Sequence, residues 1–92
     1  MAVTRSSITK FRIEKSKGNK SQVGLFIKSD HESTKRFCYY IWRRGFGGKT
    51  FPSKLEGYDW YTYVSYPGLK KEQIVAELMP HCKRITENII IV

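Results

Sequence analysis

The sequence predicts an α+β domain: an antiparallel sheet of about four to five strands with one C-terminal helix, kinked or split at Pro80, packed on one face. Three observations carry this expectation. Two N-terminal segments alternate apolar and polar residues with the period of a strand that has one wet face. The stretch "YDWYTYVSY", Tyr58 to Tyr66, is dense in aromatic and β-branched residues, which favour a pleated surface. After Pro67-Gly68 the apolar spacing changes to that of a helix. A chain of 92 residues is one domain, spanning 1–92, with a core of modest size.

In order along the chain, Met1 to Ser7 reads as a loose start. In "TKFRIEK" Phe11 and Ile13 face one way, and Lys10, Arg12 and Glu14 the other. Gly18-Asn19 supplies a turn. In "SQVGLFIKS" Val23, Leu25 and Ile27 oppose Gly24, Phe26 and Lys28, so the first two strands form a hairpin. "SDHEST" reads as a polar loop. "KRFCYYIWRR" fits two patterns. A helix lines up Phe37, Tyr40, Ile41 and Arg44; a strand sets Phe37, Tyr39 and Ile41 against Cys38, Tyr40 and Trp42. Its aromatic content favours the strand.

"GFGGKTFPSKLEG" is punctuated by Gly45, Gly47, Gly48 and Pro52 and is not a regular central strand. In "YDWYTYVSY" Tyr58, Trp60, Val64 and Tyr66 share one face, and Tyr61 and Tyr63 the other. In "LKKEQIVAELM" Ile74, Val75, Leu78 and Met79 form an apolar stripe. Pro80 either kinks that helix or opens a second short one, "PHCKRITE". "NIIIV" closes as a short strand or an apolar tail. The expected order is β-β-β-β-α-(α)-β.

Charge narrows the function. The net charge is +9, and residues 1–28 carry seven basic residues against Glu14 alone. A small protein this basic is drawn to nucleic acid, an anionic membrane or an acidic protein surface. The helix at Lys70–Lys71 is too short, and too acidic beyond them, for a membrane binder, so no membrane partner is expected. Two cysteines without a framework, and no apolar leader or spanning run, predict a cytoplasmic protein with reduced thiols.

Chemistry is sparse. Cys38, His81 and Cys82 lack the paired spacing of a metal site, and the eight acids show no pairing for general acid/base work. No enzyme, cofactor or metal is expected. "RRGFGGKTF" is the most unusual stretch. Arg44, Gly45, Phe46, Gly47 and Phe51 fit the sheet-borne RNA-recognition consensus, but Gly48 stands where an aromatic is required and Lys49 where an aliphatic is required. "GFGGKT" also lacks the spacing of a phosphate-binding P-loop. The stretch reads as a basic inter-strand loop with Phe46 at its tip and Arg43, Arg44 and Lys49 as donors to phosphate or carboxylate.

Strand parity then places Lys10, Arg12, Phe26, Lys28, Tyr40, Trp42 and Arg44 on the face opposite the helix, with Tyr61 and Tyr63 able to join them. Cations interleaved with aromatic rings suit single-stranded nucleic acid. The expected function is non-catalytic binding of nucleic acid, RNA or DNA, or of a ribonucleoprotein. Its contact residues would be Lys10, Arg12, Lys28, Tyr40, Trp42, Arg43, Arg44, Phe46 and Lys49. In size, charge and lack of catalytic motifs the chain is also similar to the small α+β proteins that phages encode to block host machines, anti-CRISPR proteins among them. That likeness is one of profile and covers no specific residues. It implies a second function, an inhibitor that docks on a nucleic-acid-handling complex and occludes its substrate path.

Overall fold

The computed structural model describes residues 7–16 and 20–92. The expected loose start up to Ser6 and the Gly18-Asn19 turn lie outside them. The elements run β1 (Lys10–Glu14), β2 (Gln22–Lys28), α1 (His31–Trp42), β3 (Thr50–Pro52), β4 (Trp60–Ser65), α2 (Lys71–Lys83) and β5 (Ile89–Ile91). They form one five-stranded sheet in the order β3-β4-β2-β1-β5.

The strand pairing follows the alternation in the sequence. Phe11 and Ile13 of β1 and Val23, Leu25 and Ile27 of β2 are buried together with Val64 of β4. Phe37 and Ile41 of α1 and Ile74, Leu78 and Cys82 of α2 complete the same core. Phe11 and Phe37 meet at a ring separation of 5.0 Å, tilted. Both helices therefore cover one face of the sheet. The other face carries the opposite parity of each strand, because successive side chains point to opposite sides.

Three expectations are corrected. First, residues 31–42 form a helix where the end of a polar loop and then a strand were expected, so the described residues hold two helices in the order β-β-α-β-β-α-β. The cause lies at its start. The Asp30 carboxylate accepts from the Ser33 backbone N–H at 2.7 Å, which satisfies one of the donors a helix N-terminus leaves open. This bond, the largest of several causes, holds the Asp30 carboxyl below its ordinary range. Phe37 and Ile41, four residues apart, then face the sheet. The "SDHEST" segment is thus a cap and first turn.

Second, α2 runs unbroken through Pro80. Proline removes one helical hydrogen bond, to the carbonyl four residues earlier. Here Ala76 and Pro80 are both exposed, so water can take up that carbonyl, and the interruption comes within the last turn. Third, the sheet is mixed. The C-terminal strand β5 pairs in parallel with β1, Phe11 opposite Ile89 and Ile13 opposite Ile91, while the other pairs are antiparallel.

The glycine-rich segment ends α1 and leads to the sheet edge. Gly45 has φ 101°, a conformation that favours glycine. At Gly48 a Cβ would come within 2.4 Å of the Tyr63 carbonyl oxygen, so only glycine lets the chain lie this close to β4. Gly47 bonds with Ser65 in both directions, at 2.8 and 3.0 Å. Pro52 sits at the end of edge strand β3, where a missing N–H is tolerated.

Candidate nucleic-acid interface

The face of the sheet away from the helices is built from one cross-strand row. Ile90 lies opposite Arg12, Arg12 opposite Phe26, Phe26 opposite Tyr61 and Tyr61 opposite Phe51. All five strands contribute one residue. The next row is Glu14, Gly24 and Tyr63. Gly24, between the other two, has no side chain and is itself buried.

The rings pack on one another in this setting. Phe26 and Tyr61 lie 4.5 Å apart between centroids. Tyr61 and Tyr63 meet edge to face at 4.8 Å. Tyr58, expected on the face of Trp60 and Val64, packs instead against Phe26 at 5.9 Å, because it lies before β4 begins. Beside them opens a trough of about 610 Å³ lined by Glu14, Phe26, Phe51, Tyr61, Tyr63 and Lys54, among others. A second depression of about 400 Å³ shares Phe51 and Tyr63 with it and adds Gln22 and Lys49. Together they make a path along β3 and β4 with Lys54 on one depression and Lys49 on the other. Phe51, on the edge strand, is 46% exposed.

Charge on this face is partly compensated. Arg12 Nε donates to Glu14 Oε2 at 2.7 Å. Lys10 and Lys28 are directly opposite, an arrangement that costs energy by itself. Lys10 sits over the Tyr58 ring at 4.7 Å and Lys28 approaches Asp59 at 3.6 Å, which relieves it. The Tyr61 hydroxyl is shut off from water and has no hydrogen-bond partner among the described residues. Burial, then the neighbouring Tyr63 and the Glu14 charge, push its pKa well above the ordinary phenol range.

The predicted site residues divide between two surfaces. Lys10, Arg12 and Lys28 lie on this outer face, as strand parity requires, and Lys49 borders the path. Tyr40, Trp42, Arg43 and Arg44 do not join them, because they belong to the end of α1, on the helical side of the sheet. Phe46 is not at a loop tip. It is 3% exposed and packs edge to face on Tyr66 at 5.0 Å. The trough also takes in Glu14, Phe51 and Lys54, which the sequence reading left out of the candidate site. Phe51 sits beside Pro52 in a segment dominated by turn residues, which hid its strand.

The end of α1 has its own organisation. Tyr39 and Trp42 are 58% and 62% exposed and stack on each other at 5.8 Å, with Arg43 Nη1 donating to the Tyr39 hydroxyl at 3.3 Å. The Arg44 guanidinium lies 3.6 Å from the Tyr40 ring centre and donates to the Tyr40 carbonyl at 3.0 Å. Arg84, from the end of α2, approaches the same ring at 4.5 Å. His81 reaches the Tyr40 hydroxyl at 3.3 Å. Burial and then the two nearby guanidiniums lower the His81 pKa. Cys82 is a core thiol, its pKa pushed up to about 12 by burial. Burial also raises Cys38, against a weaker opposing contact from Thr50.

Among the described residues no group of three or more His, Cys, Asp or Glu is placed to hold a metal ion, and no helix is long and apolar enough to cross a membrane. Comparison of the chain with protein-family models, with curated proteins and with solved structures finds no match.

Proposed function

We propose that the protein is a non-catalytic binder of single-stranded nucleic acid, alone or within a ribonucleoprotein, and that the strand lies along the outer sheet face. The observation that carries this reading is the open trough lined by Phe26, Phe51, Tyr61 and Tyr63 with lysines on both depressions. Bases stack on aromatic rings without regard to sequence, and each stacked base is worth roughly 1–3 kcal/mol. Phosphates meet Lys49 and Lys54 at the flanks, with Lys10, Arg12 and Lys28 raising the potential of the face. Phe51 and Tyr63 are the rings that border both depressions, and they are the two assigned to stacking.

The test is binding of labelled single-stranded and duplex RNA and DNA to the whole protein, followed by Phe51→Ala and Tyr63→Ala. Single strands should bind more tightly than duplexes, and each substitution should weaken that binding. Equal affinity for duplex and single strand, or no loss in either variant, would remove the trough from the binding surface.

A second reading rests on a different observation, the exposed Tyr39–Trp42 pair beside Arg43. Trp, Tyr and Arg dominate the energetics of protein interfaces. On this reading the protein is an inhibitor of the phage-encoded, anti-CRISPR-like kind, and α1 docks on a nucleic-acid-handling complex to block its substrate path. Such a protein would bind the complex through Trp42 and hold free oligonucleotide weakly or not at all.

A further inference from the structure

The trough holds one feature that sequence-tolerant stacking does not need. Glu14 is 9% exposed and lines an aromatic trough on a protein of net charge +9. A carboxylate there opposes phosphate binding. It is kept in place by Arg12, whose Nε–H it accepts at 2.7 Å. That bond uses one of about four lone-pair positions on the carboxylate, so acceptor capacity remains. Glu14 lies in one cross-strand row with Gly24 and Tyr63, and it lines the trough directly, so a flat ring in the trough can reach the carboxylate. The Tyr61 and Tyr63 rings, which also line the trough, supply the apolar surface on which such a ring would rest.

The four bases differ in what they offer a carboxylate. The Watson–Crick edge of guanine presents two adjacent donors, N1–H and the N2 amino group. Adenine and cytosine each present one amino group beside a ring nitrogen acceptor, which a carboxylate repels. Uracil and thymine present one N–H between two carbonyls. Two parallel bonds to one carboxylate are available to guanine alone. Building on the nucleic-acid reading above, we propose that the Glu14 end of the trough is a guanine-selective subsite, with the carboxylate accepting from N1–H and N2–H of one base while the neighbouring rings hold it by stacking. Arg12 is a positioning residue: its bond to Oε2 orients the carboxylate and keeps its charge compensated when no base is present.

The experiment uses the whole protein and heptamers of one background, UUUUUUU with the central base replaced by G, A, C or inosine. Inosine keeps N1–H and lacks the N2 amino group. The G heptamer should bind roughly 5- to 100-fold more tightly than the A, C and U heptamers, the range expected for one good bidentate contact, and inosine should lose most of that advantage. Glu14→Gln turns one acceptor into a donor and should erase the preference for G while general affinity remains, with its melting curve recorded alongside. Guanosine monophosphate should compete only at far higher concentration than the G heptamer.

Equal binding of all five heptamers, or of G and inosine, would overturn the subsite while leaving the stacking surface intact. Those ligand comparisons need no variant and hold even if Glu14→Gln destabilises the fold. Competition by the mononucleotide as effective as that by the heptamer would also overturn the proposal, by making the site one for free nucleotide. Failure of every heptamer to bind would overturn the nucleic-acid reading and the subsite with it.

Discussion

The outer sheet face and the end of α1 use the same ingredients, aromatic rings and cations, and arrange them in opposite ways. On the sheet face the rings of Phe26, Tyr58, Tyr61 and Tyr63 pack against one another in a half-covered layer, with one cation, Lys10, over Tyr58 and the others around them. On α1 the aromatic pair Tyr39–Trp42 projects into solvent and cations lie directly over or beside the rings, Arg43 at Tyr39 and Arg44 at Tyr40. The first arrangement is a wide surface of the shape that the proposed binding of successive bases requires. The second is a narrow anchor of the kind that fills a pocket on another protein. A basic, aromatic composition therefore does not specify its partner; the backbone that displays it does.

Both surfaces rest on one core, and the largest expected effect comes from breaking it. Leu78→Ala should cost about 2–5 kcal/mol through lost burial and a residual cavity, a large share of the stability of a domain this size. Chemical denaturation measures it. A variant that unfolds like the parent would mean that α2 does not hold the sheet, and the comparison of two surfaces on one scaffold would fail.

Next come substitutions that set the surfaces against each other. Phe51→Ala and Tyr63→Ala should each weaken single-stranded oligonucleotide binding by roughly 1–3 kcal/mol. Trp42→Ala and Arg43→Ala should leave it unchanged in the same titration. The reverse pattern would transfer nucleic-acid binding to α1. Salt sharpens the same contrast: affinity for a single strand should fall with a log–log slope of magnitude about 3 to 5. Replacing both Lys49 and Lys54 with Gln should reduce that magnitude by about 0.7 per residue.

Smaller effects probe how each surface is built. Tyr61→Phe removes a hydroxyl with no partner, so the melting temperature of the free protein should stay the same or rise slightly. A clear loss of stability would show that the hydroxyl is bonded. Beside the end of α1, the sign of the pH effect comes from His81 of α2, whose folded pKa is lowered from an ordinary value near 6.5. The unfolded chain then binds more protons than the folded one between the two values. Stability is fully present above about pH 6.5 and is lost as the pH falls through the folded pKa. His81→Gln should flatten that part of the pH–melting profile and leave oligonucleotide binding unaffected.

Much of this was legible in the sequence, for identifiable reasons. The period-two alternation of β1, β2 and β4 placed Phe11, Ile13, Val23, Leu25, Ile27 and Val64 correctly in the core, and Lys10, Arg12, Phe26, Lys28, Tyr61 and Tyr63 on the outer face. The stripe Ile74, Val75 and Leu78 placed α2. Over residues 31–42 aromatic content points to a strand, but the stronger signal is a helix start, Asp30 at the N-cap with Glu32 in the first turn, and Phe37 and Ile41 fit its core-facing period. Reading a strand there moves Tyr40, Trp42 and Arg44 onto the wrong surface. The parallel pairing of β5 could not be read, because register between distant strands is fixed by packing. Glu14 was visible as an outward residue, but its place in the trough, held by the Arg12 bond, arises only when the strands are paired.

The central claim is that nucleic acid lies on the outer sheet face. Chemical-shift mapping of the isotopically labelled protein during titration with the G-containing heptamer tests it most directly. The account predicts that shifts concentrate on Glu14, Phe26, Phe51, Tyr61 and Tyr63 and on Lys49 and Lys54, while Tyr39, Trp42 and Arg43 stay in place. Shifts centred on the end of α1, with the sheet residues unmoved, would contradict it.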